Sequence, residues 1–347
     1  MPVSCCFDSR RWLNPDVKED IQTHQIPLFD LAERSLERII QEESISLMYM
    51  PVYDETPEYM DCIDTSRCQV LVTIHDLRKL ELPLDSYQML YKPWKRGLRY
   101  IVKRILSGYF KKRKLHEVQK VLDMEGMKIV TVSEHSSYAF KSYFPQYCNL
   151  DIPVFYSPST SHVHTDSVKY HKKYFLLVSC NRYNKNNLRA IMAFDRLFTY
   201  GYAQGYKVKL TGISDLSVFY CTVKNPDRFE CVGFVNDIEL DQLFHDAYCF
   251  VYPTLNEGFG YPPLEAMHYG VPVLASSFSA VSEICGGAVI YFNPFSVEEI
   301  MNRILMILDE KKHWYYSQQG RERYRVVTQR QHEDLDRLID YIYNYKP

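Results

Sequence analysis

At 347 residues the chain is longer than the roughly 250 to 300 at which one hydrophobic core stops growing, so it reads as two domains. Apolar residues make up 46% and charged residues 24%, ordinary globular values, and a formal net charge of -2 argues against a nucleic-acid binder. Ten cysteines without a CxxC pair, an N-terminus without a signal-like apolar core and the lack of any run of about 18 apolar residues point to reduced thiols, a cytoplasmic location and at most peripheral contact with a membrane.

In the first half, short β-branched or apolar runs at residues 45–50, 70–74, 128–132 and 153–156 alternate with helical patterns, which predicts a parallel sheet. The second run ends in His75-Asp76, a site where an imidazole could donate or accept near neutral pH. Residues 92–114 (KPWKRGLRYIVKRILSGYFKKRK) hold ten Lys or Arg and no Asp or Glu, with Trp94, Leu98, Ile101, Ile105, Leu106, Tyr109 and Phe110 at helical spacing. Such a basic amphipathic stretch suits an anionic membrane surface at the inner face; a solvated helix packed on the domain is the plainer alternative, and nucleic acid fits less well because no base-stacking architecture is evident.

The Ser-, Thr- and His-rich residues 157–171 interrupt the pattern, and a new alternation begins at residues 174–179. Strands are expected at 207–211, 249–252, 271–275 and 288–291, and helices at 190–198, 240–244, from 262 and near 281. Residues 297–345 read as helix packing back on the domains, and Asp334 and Asp336 within it read as a solvated face. The expected division is residues 1–160 for an N-terminal domain, 161–172 for a linker, 173–325 for a second doubly wound domain and 326–347 for a terminal helix.

The densest chemical signal is TLNEGFGYPPLEAMH, residues 254–268. A strand ends in a loop with Gly258 and Gly260, and Pro262 and Pro263 then open a helix, where a proline loses no hydrogen bond. The free amides of Gly258, Phe259 and Gly260 at a helix N-terminus suit a diphosphate, and Glu257 and Glu265 can both reach the same crevice as acceptors for hydroxyl groups. The earlier loop CNRYNKNNL places Arg182 and Lys185 after a strand, where cations could stabilise a leaving diphosphate.

The spacing Glu257-x7-Glu265 with its glycines and prolines, followed by GVPVLASSFSAVSEICGGAVIYFNP, resembles the retaining glycosyltransferases of family 4. That resemblance implies a GT-B fold, with two Rossmann-like doubly wound α/β domains facing across a cleft and C-terminal helices packing back. It also implies transfer of a sugar from a nucleotide-diphosphate donor to a saccharide or lipid-linked saccharide acceptor in glycan biosynthesis, with retention and without a cofactor or metal. The resemblance assigns Glu257 and His75 to the donor sugar, Arg182 and Lys185 to the diphosphate with help from the Gly258, Phe259 and Gly260 amides, and Glu265 to the ribose. It places Gly212, in KVKLTG, and Phe234 and Val235, in ECVGFVNDIELDQL, at the nucleotide, and extends to Ser133 and His135 in IVTVSEHSSYAF.

One departure is plain, since the family opens with a strand and a glycine-rich loop while no glycine here precedes Gly97. The opening strand and its loop read as missing or replaced. That leaves two competing expectations, a non-catalytic glycosyltransferase-like subunit at a membrane and a nucleotide-sugar epimerase, which shares the two-domain architecture.

Overall fold

The computed structural model describes residues 3–11, 13–53, 63–124, 126–158 and 173–344, so the expected linker at 161–172 lies outside the described residues. All pairings between named strands are parallel.

The N-terminal part begins with a strand, β1 (Cys5–Phe7), a helix, α1 (Pro15–Thr23), and β2 (Leu28–Asp30), which pairs with β1. An opening strand is therefore present, although the loop behind it carries no glycine. After α2 (Leu36–Glu42) come β3 (Leu47–Met50) and β4 (Gln69–Ile74), then α3 (Arg78–Glu81), α4 (Lys95–Ile105), α5 (Ser107–Leu122), β5 (Met127–Thr131) and α6 (Glu134–Tyr143). Strands β3, β4 and β5 form one sheet, and the run expected at 153–156 contributes only a bridge from Val154 to Thr131, because Pro153 has no N–H to extend a ladder. Val70, Val72 and Ile74 face one side of β4, toward Leu36, Ile40 and Phe140, while Leu71 faces the other.

The C-terminal part is a six-stranded sheet of β6 (Tyr174–Leu177), β7 (Lys207–Thr211), β8 (Phe229–Gly233), β9 (Cys249–Tyr252), β10 (Val273–Ser276) and β11 (Ile290–Phe292), ordered β8-β7-β6-β9-β10-β11. This is the 3-2-1-4-5-6 order of a dinucleotide-type doubly wound fold, whose strand order reverses between β6 and β9. Strands β6, β9 and β10 are buried on both faces, which is why they read as unbroken apolar runs. Phe175 and Leu177 enter the core shared with α7 (Asn187–Thr199) and α11 (Val297–Ile307). Tyr174 and Leu176 enter the opposite core, shared with α8 (Asp237–Asp246), α9 (Tyr261–His268) and α10 (Ala280–Cys285).

Two segments tie the parts together. Helix α12 (Glu310–Tyr343) runs unbroken from the C-terminal core, where Val327 is buried, to the N-terminal sheet, where Leu338, Tyr341 and Ile342 cover Leu71 and Val130. Asp334, expected on a solvated face, is instead 1% exposed: it accepts from the Tyr156 amide at 2.9 Å and pairs with Arg337 at 2.7 Å. Helical periodicity cannot distinguish a solvated carboxylate from one facing another element's backbone. The second tie is the strap of residues 85–92, whose Tyr91 inserts into the C-terminal core edge-on to Phe219. Asp85 at its start makes a buried two-pronged bond to Arg189, at 2.6 and 2.8 Å.

Candidate active site between the two domains

The reversal between β6 and β9 places two loops side by side, and their hydrogen bonds stitch them together. Leu255 donates its amide to the Asn184 carbonyl at 2.8 Å. Asn186 takes a left-handed conformation (φ 58°), which asparagine tolerates, and its side-chain amide bonds the carbonyls of Pro253 and Pro294 at 2.9 and 2.7 Å. Lys185 is thereby aimed at the loop that carries Glu257.

Lys185 and Glu257 form a buried ion pair, Nζ to Oε1 at 2.7 Å. The same Oε1 accepts from the Thr254 hydroxyl at 2.7 Å, and Lys185 also reaches the Tyr252 hydroxyl at 3.0 Å. Burial alone would raise the Glu257 carboxyl, but the Lys185 charge, these hydrogen bonds and the Arg78 charge outweigh it and hold the carboxyl below its usual range. The Glu257 amide is fixed by the Ser279 hydroxyl at 2.8 Å. Glu257 is thus an oriented, ionised acceptor beside a fixed cation.

Gly258 marks the closest approach of the domains. A Cβ there would lie 2.1 Å from the His75 carbonyl oxygen, so only glycine fits. Two hydroxyls of the N-terminal domain face this point: Ser133 donates across the seam to the Gly258 carbonyl at 2.7 Å, while Ser136 donates to the His75 carbonyl of its own domain at 2.6 Å and lies 3.3 Å from the Gly258 carbonyl. His75 places Nε2 3.0 Å from the Pro51 carbonyl. The next loop residues have different surroundings: Phe259 is buried edge-on to Tyr156, and Gly260, at φ 124°, caps the start of α9.

Glu265 lies one turn into α9, and its carboxyl is pushed up to about 7 by burial and by the nearby Asp241 charge, partly offset by Lys185. Arg182 is exposed on the β6 loop. Gly212, at φ 81°, packs against Asn181, and beyond β8 Phe234 is 83% exposed with Val235 half-buried beside it. The structure therefore brings Lys185, Glu257, Gly258, His75 and Ser133 together at one seam, with Glu265 under the influence of the same cation.

Several residues here escaped the sequence reading. Arg78, opening α3 on the N-terminal side, is oriented by Asp76 at 2.8 Å and contributes its charge to Glu257. Glu81 pairs with His135 at 2.9 Å; burial raises its carboxyl, but the hydrogen bond to His135 prevails and leaves it lowered. Among the described residues, the buried Arg78 Nε, Asn184 Nδ2 and Asn256 Oδ1 have no hydrogen-bond partner, although buried polar atoms are nearly always paired. A further carboxylate, Glu283, crosses the seam to accept the Glu134 and His135 amides at 2.9 and 2.8 Å, occupying the N-terminus of α6. The local signal for Arg78 was its position two residues after Asp76, where a side-chain turn is common; Asn256 and Glu283 gave none, since their partners are distant in sequence.

Comparison with known proteins bears on this geometry. Residues 166–323 match the family model described as glycosyl transferases group 1. The O-antigen chain mannosyltransferase B of Escherichia coli is 42% identical over 79 residues, 23% of this chain and 21% of that protein. The alpha-1,3/1,6-mannosyltransferase ALG2 of Homo sapiens is 31% identical over 172 residues, 42% of this chain and 41% of that one. These matches span less than half of the relatives' own length. The crystal structure of Anabaena Alr3699/HepE in complex with UDP-glucose superposes with a TM-score of 0.62 over 94% of this chain and 90% of that one, at 14% identity, which speaks to fold alone. The fold is GT-B, and the C-terminal half of the chain is a glycosyl transferases group 1 domain.

Proposed function

We propose that the chain is a retaining glycosyltransferase that moves a hexosyl group from a nucleotide-diphosphate donor to a saccharide or lipid-linked saccharide acceptor in glycan biosynthesis. The observation that carries this reading is the Lys185–Glu257 pair, buried where the strand order reverses, which is where open α/β sheets bind ligands. The mannosyltransferase names of the relatives favour mannose as the sugar. Unbridged cysteines among the described residues suit a cytoplasmic site of action.

On this reading Glu257 accepts from the donor sugar's hydroxyls, with His75 beside it across the seam. Lys185 shares its ammonium between Glu257 and the diphosphate, and the exposed Arg182 closes on the diphosphate from outside. Glu265 receives the ribose, while Gly212, Phe234 and Val235 border the nucleotide. The unpaired atoms of Arg78, Asn184 and Asn256 are the further groups that a polyhydroxylated ligand would satisfy. Fixed cations take the place of a metal in this scheme. The leaving phosphate accepts the acceptor's proton as the new glycosidic bond forms on the face from which the old one breaks.

The test is a thermal-shift panel of GDP-mannose, UDP-glucose and ADP-glucose, followed by transfer to a saccharide acceptor with the anomeric configuration read by NMR. A ligand that binds only the native state raises its stability. The reading expects one nucleotide class to shift the transition and the product to keep the donor's configuration. No shift with any donor would favour a non-catalytic subunit, and sugar epimerisation without an acceptor would favour the epimerase.

A further inference from the structure

We infer that the helical elbow joining α4 and α5 docks the protein on an anionic lipid bilayer. Each residue from 101 to 113 is exposed although the segment is helical on both sides of a single break at Leu106. Among the described side chains of α4 only Gly97, against Met89, and Tyr100 are buried, and its second half projects from the domain.

What projects is apolar as well as basic. Trp94, Leu98, Ile101 and Ile105 follow one another at four, three and four residues, a single helix face, and Tyr109 and Phe110 continue the apolar surface after the bend. Ile105 is 74%, Trp94 63% and Tyr109 62% exposed, a concentration of large apolar groups that water alone does not stabilise. Around them stand Arg99, Lys103, Arg104, Lys111, Lys112 and Arg113.

The charges select the occupant. Residues 92–114 contain ten Lys or Arg and no acid while the whole chain is at -2, so the rest of the chain is strongly acidic. An anionic bilayer would attract this elbow, repel the remainder and accept the apolar side chains at its headgroup boundary. A second copy of the same elbow would bring its cations against like charge, which argues against self-association. No helix among the described residues is long and apolar enough to cross a membrane, so the contact is interfacial. Helix α5 packs on α3, which bears Arg78 and Glu81, so the docked elbow would hold the N-terminal side of the crevice close to the bilayer. This deepens the proposed function by placing a lipid-linked acceptor within reach, but the docking itself stands on the elbow alone.

The test is flotation of the full chain, without any nucleotide sugar, on vesicles of phosphatidylcholine or of phosphatidylcholine with one third phosphatidylglycerol. Two exposed double variants, Lys111→Glu with Lys112→Glu and Ile105→Ser with Tyr109→Ser, are compared after their melting temperatures are matched to the parent. Binding is expected on the anionic vesicles only, weakened by salt, and reduced about tenfold or more by the charge reversal and clearly by the apolar pair. Equal binding to both vesicle types, or binding unchanged by the charge reversal, would overturn the proposal. So would a solution dimer or an RNA mobility shift that these substitutions abolish while vesicles are ignored. Because no sugar nucleotide is present, failure here leaves the transfer reading to its own assay.

Discussion

The C-terminal domain builds its site from within, and the N-terminal domain contributes by contact. In the first, β6 and β9 are adjacent, and their loops are bonded to each other through Asn184, Asn186 and Leu255 before any ligand arrives. In the second, the loops after β4 and β5 bring His75, Ser133 and Ser136 against Gly258, and Glu283 of the other domain holds the start of α6. The difference is one of construction: the C-terminal loops are held within one domain, and the N-terminal groups are placed by contacts across the seam, by the strap of residues 85–92 and by α12. A sliding or opening of the domains would change what His75 and Arg78 face while leaving the Lys185–Glu257 bond, made within one domain, intact.

The sharpest way to break this contrast is Gly258→Ala. Its Cβ would fall 2.1 Å from a backbone oxygen that has no rotamer to yield, so the seam must open. Transfer is expected to drop about 100-fold, in keeping with displacement of catalytic groups by an ångström, while donor binding to the C-terminal domain falls far less. Steady-state kinetics beside calorimetric donor titration separate the two, and an equal loss in both would mean that the domains do not act separately.

Next in size is Lys185→Met, which leaves Glu257 buried without its cation. About 3 to 5 kcal/mol of stability should be lost in denaturant unfolding of the C-terminal domain, and Lys185→Met with Glu257→Gln should recover part of it. Loss of activity in Lys185→Met is therefore not by itself evidence for a diphosphate contact. Arg182→Ala is the cleaner probe: being exposed, it should leave stability within about 0.5 kcal/mol while weakening diphosphate-containing ligands more than nucleosides.

The smallest and most specific effect concerns Glu265. Burial and the Asp241 charge push its carboxyl from the ordinary 4.5 of a glutamate up to about 7, so the folded state holds the proton more tightly. The resulting stabilisation is full at low pH and is lost as pH rises from about 4.5 through 7. Glu265→Gln should flatten that part of the stability profile and stabilise the ligand-free protein at pH 8 by on the order of 1 to 2 kcal/mol. If the ionised carboxylate accepts from ribose hydroxyls, parent affinity for the nucleotide should rise between pH 6 and 8 and the variant's should not. A parent affinity flat in pH would remove Glu265 from the ribose.

The sequence determined most of the C-terminal domain, because strands buried on both faces must be apolar throughout and helices between them must show an apolar stripe, but the half-buried edge strand β8 carries no such run and was not expected. Residues 207–211 and 249–252 form strands with the expected bounds, and Lys185 and Glu257 were legible because loop chemistry at strand ends is written locally. The N-terminal domain was less legible. Strands β1 and β2 are three residues each with little buried surface, too short for a period to register. Only the tertiary structure decided that Gly258 lies against His75, that Arg78 acts on Glu257, that Glu283 caps a helix of the other domain and that Asp334 is buried. Each of these joins residues far apart in the chain, and a side chain's partner across a domain seam leaves no periodicity, spacing or turn signal in the segment that carries it.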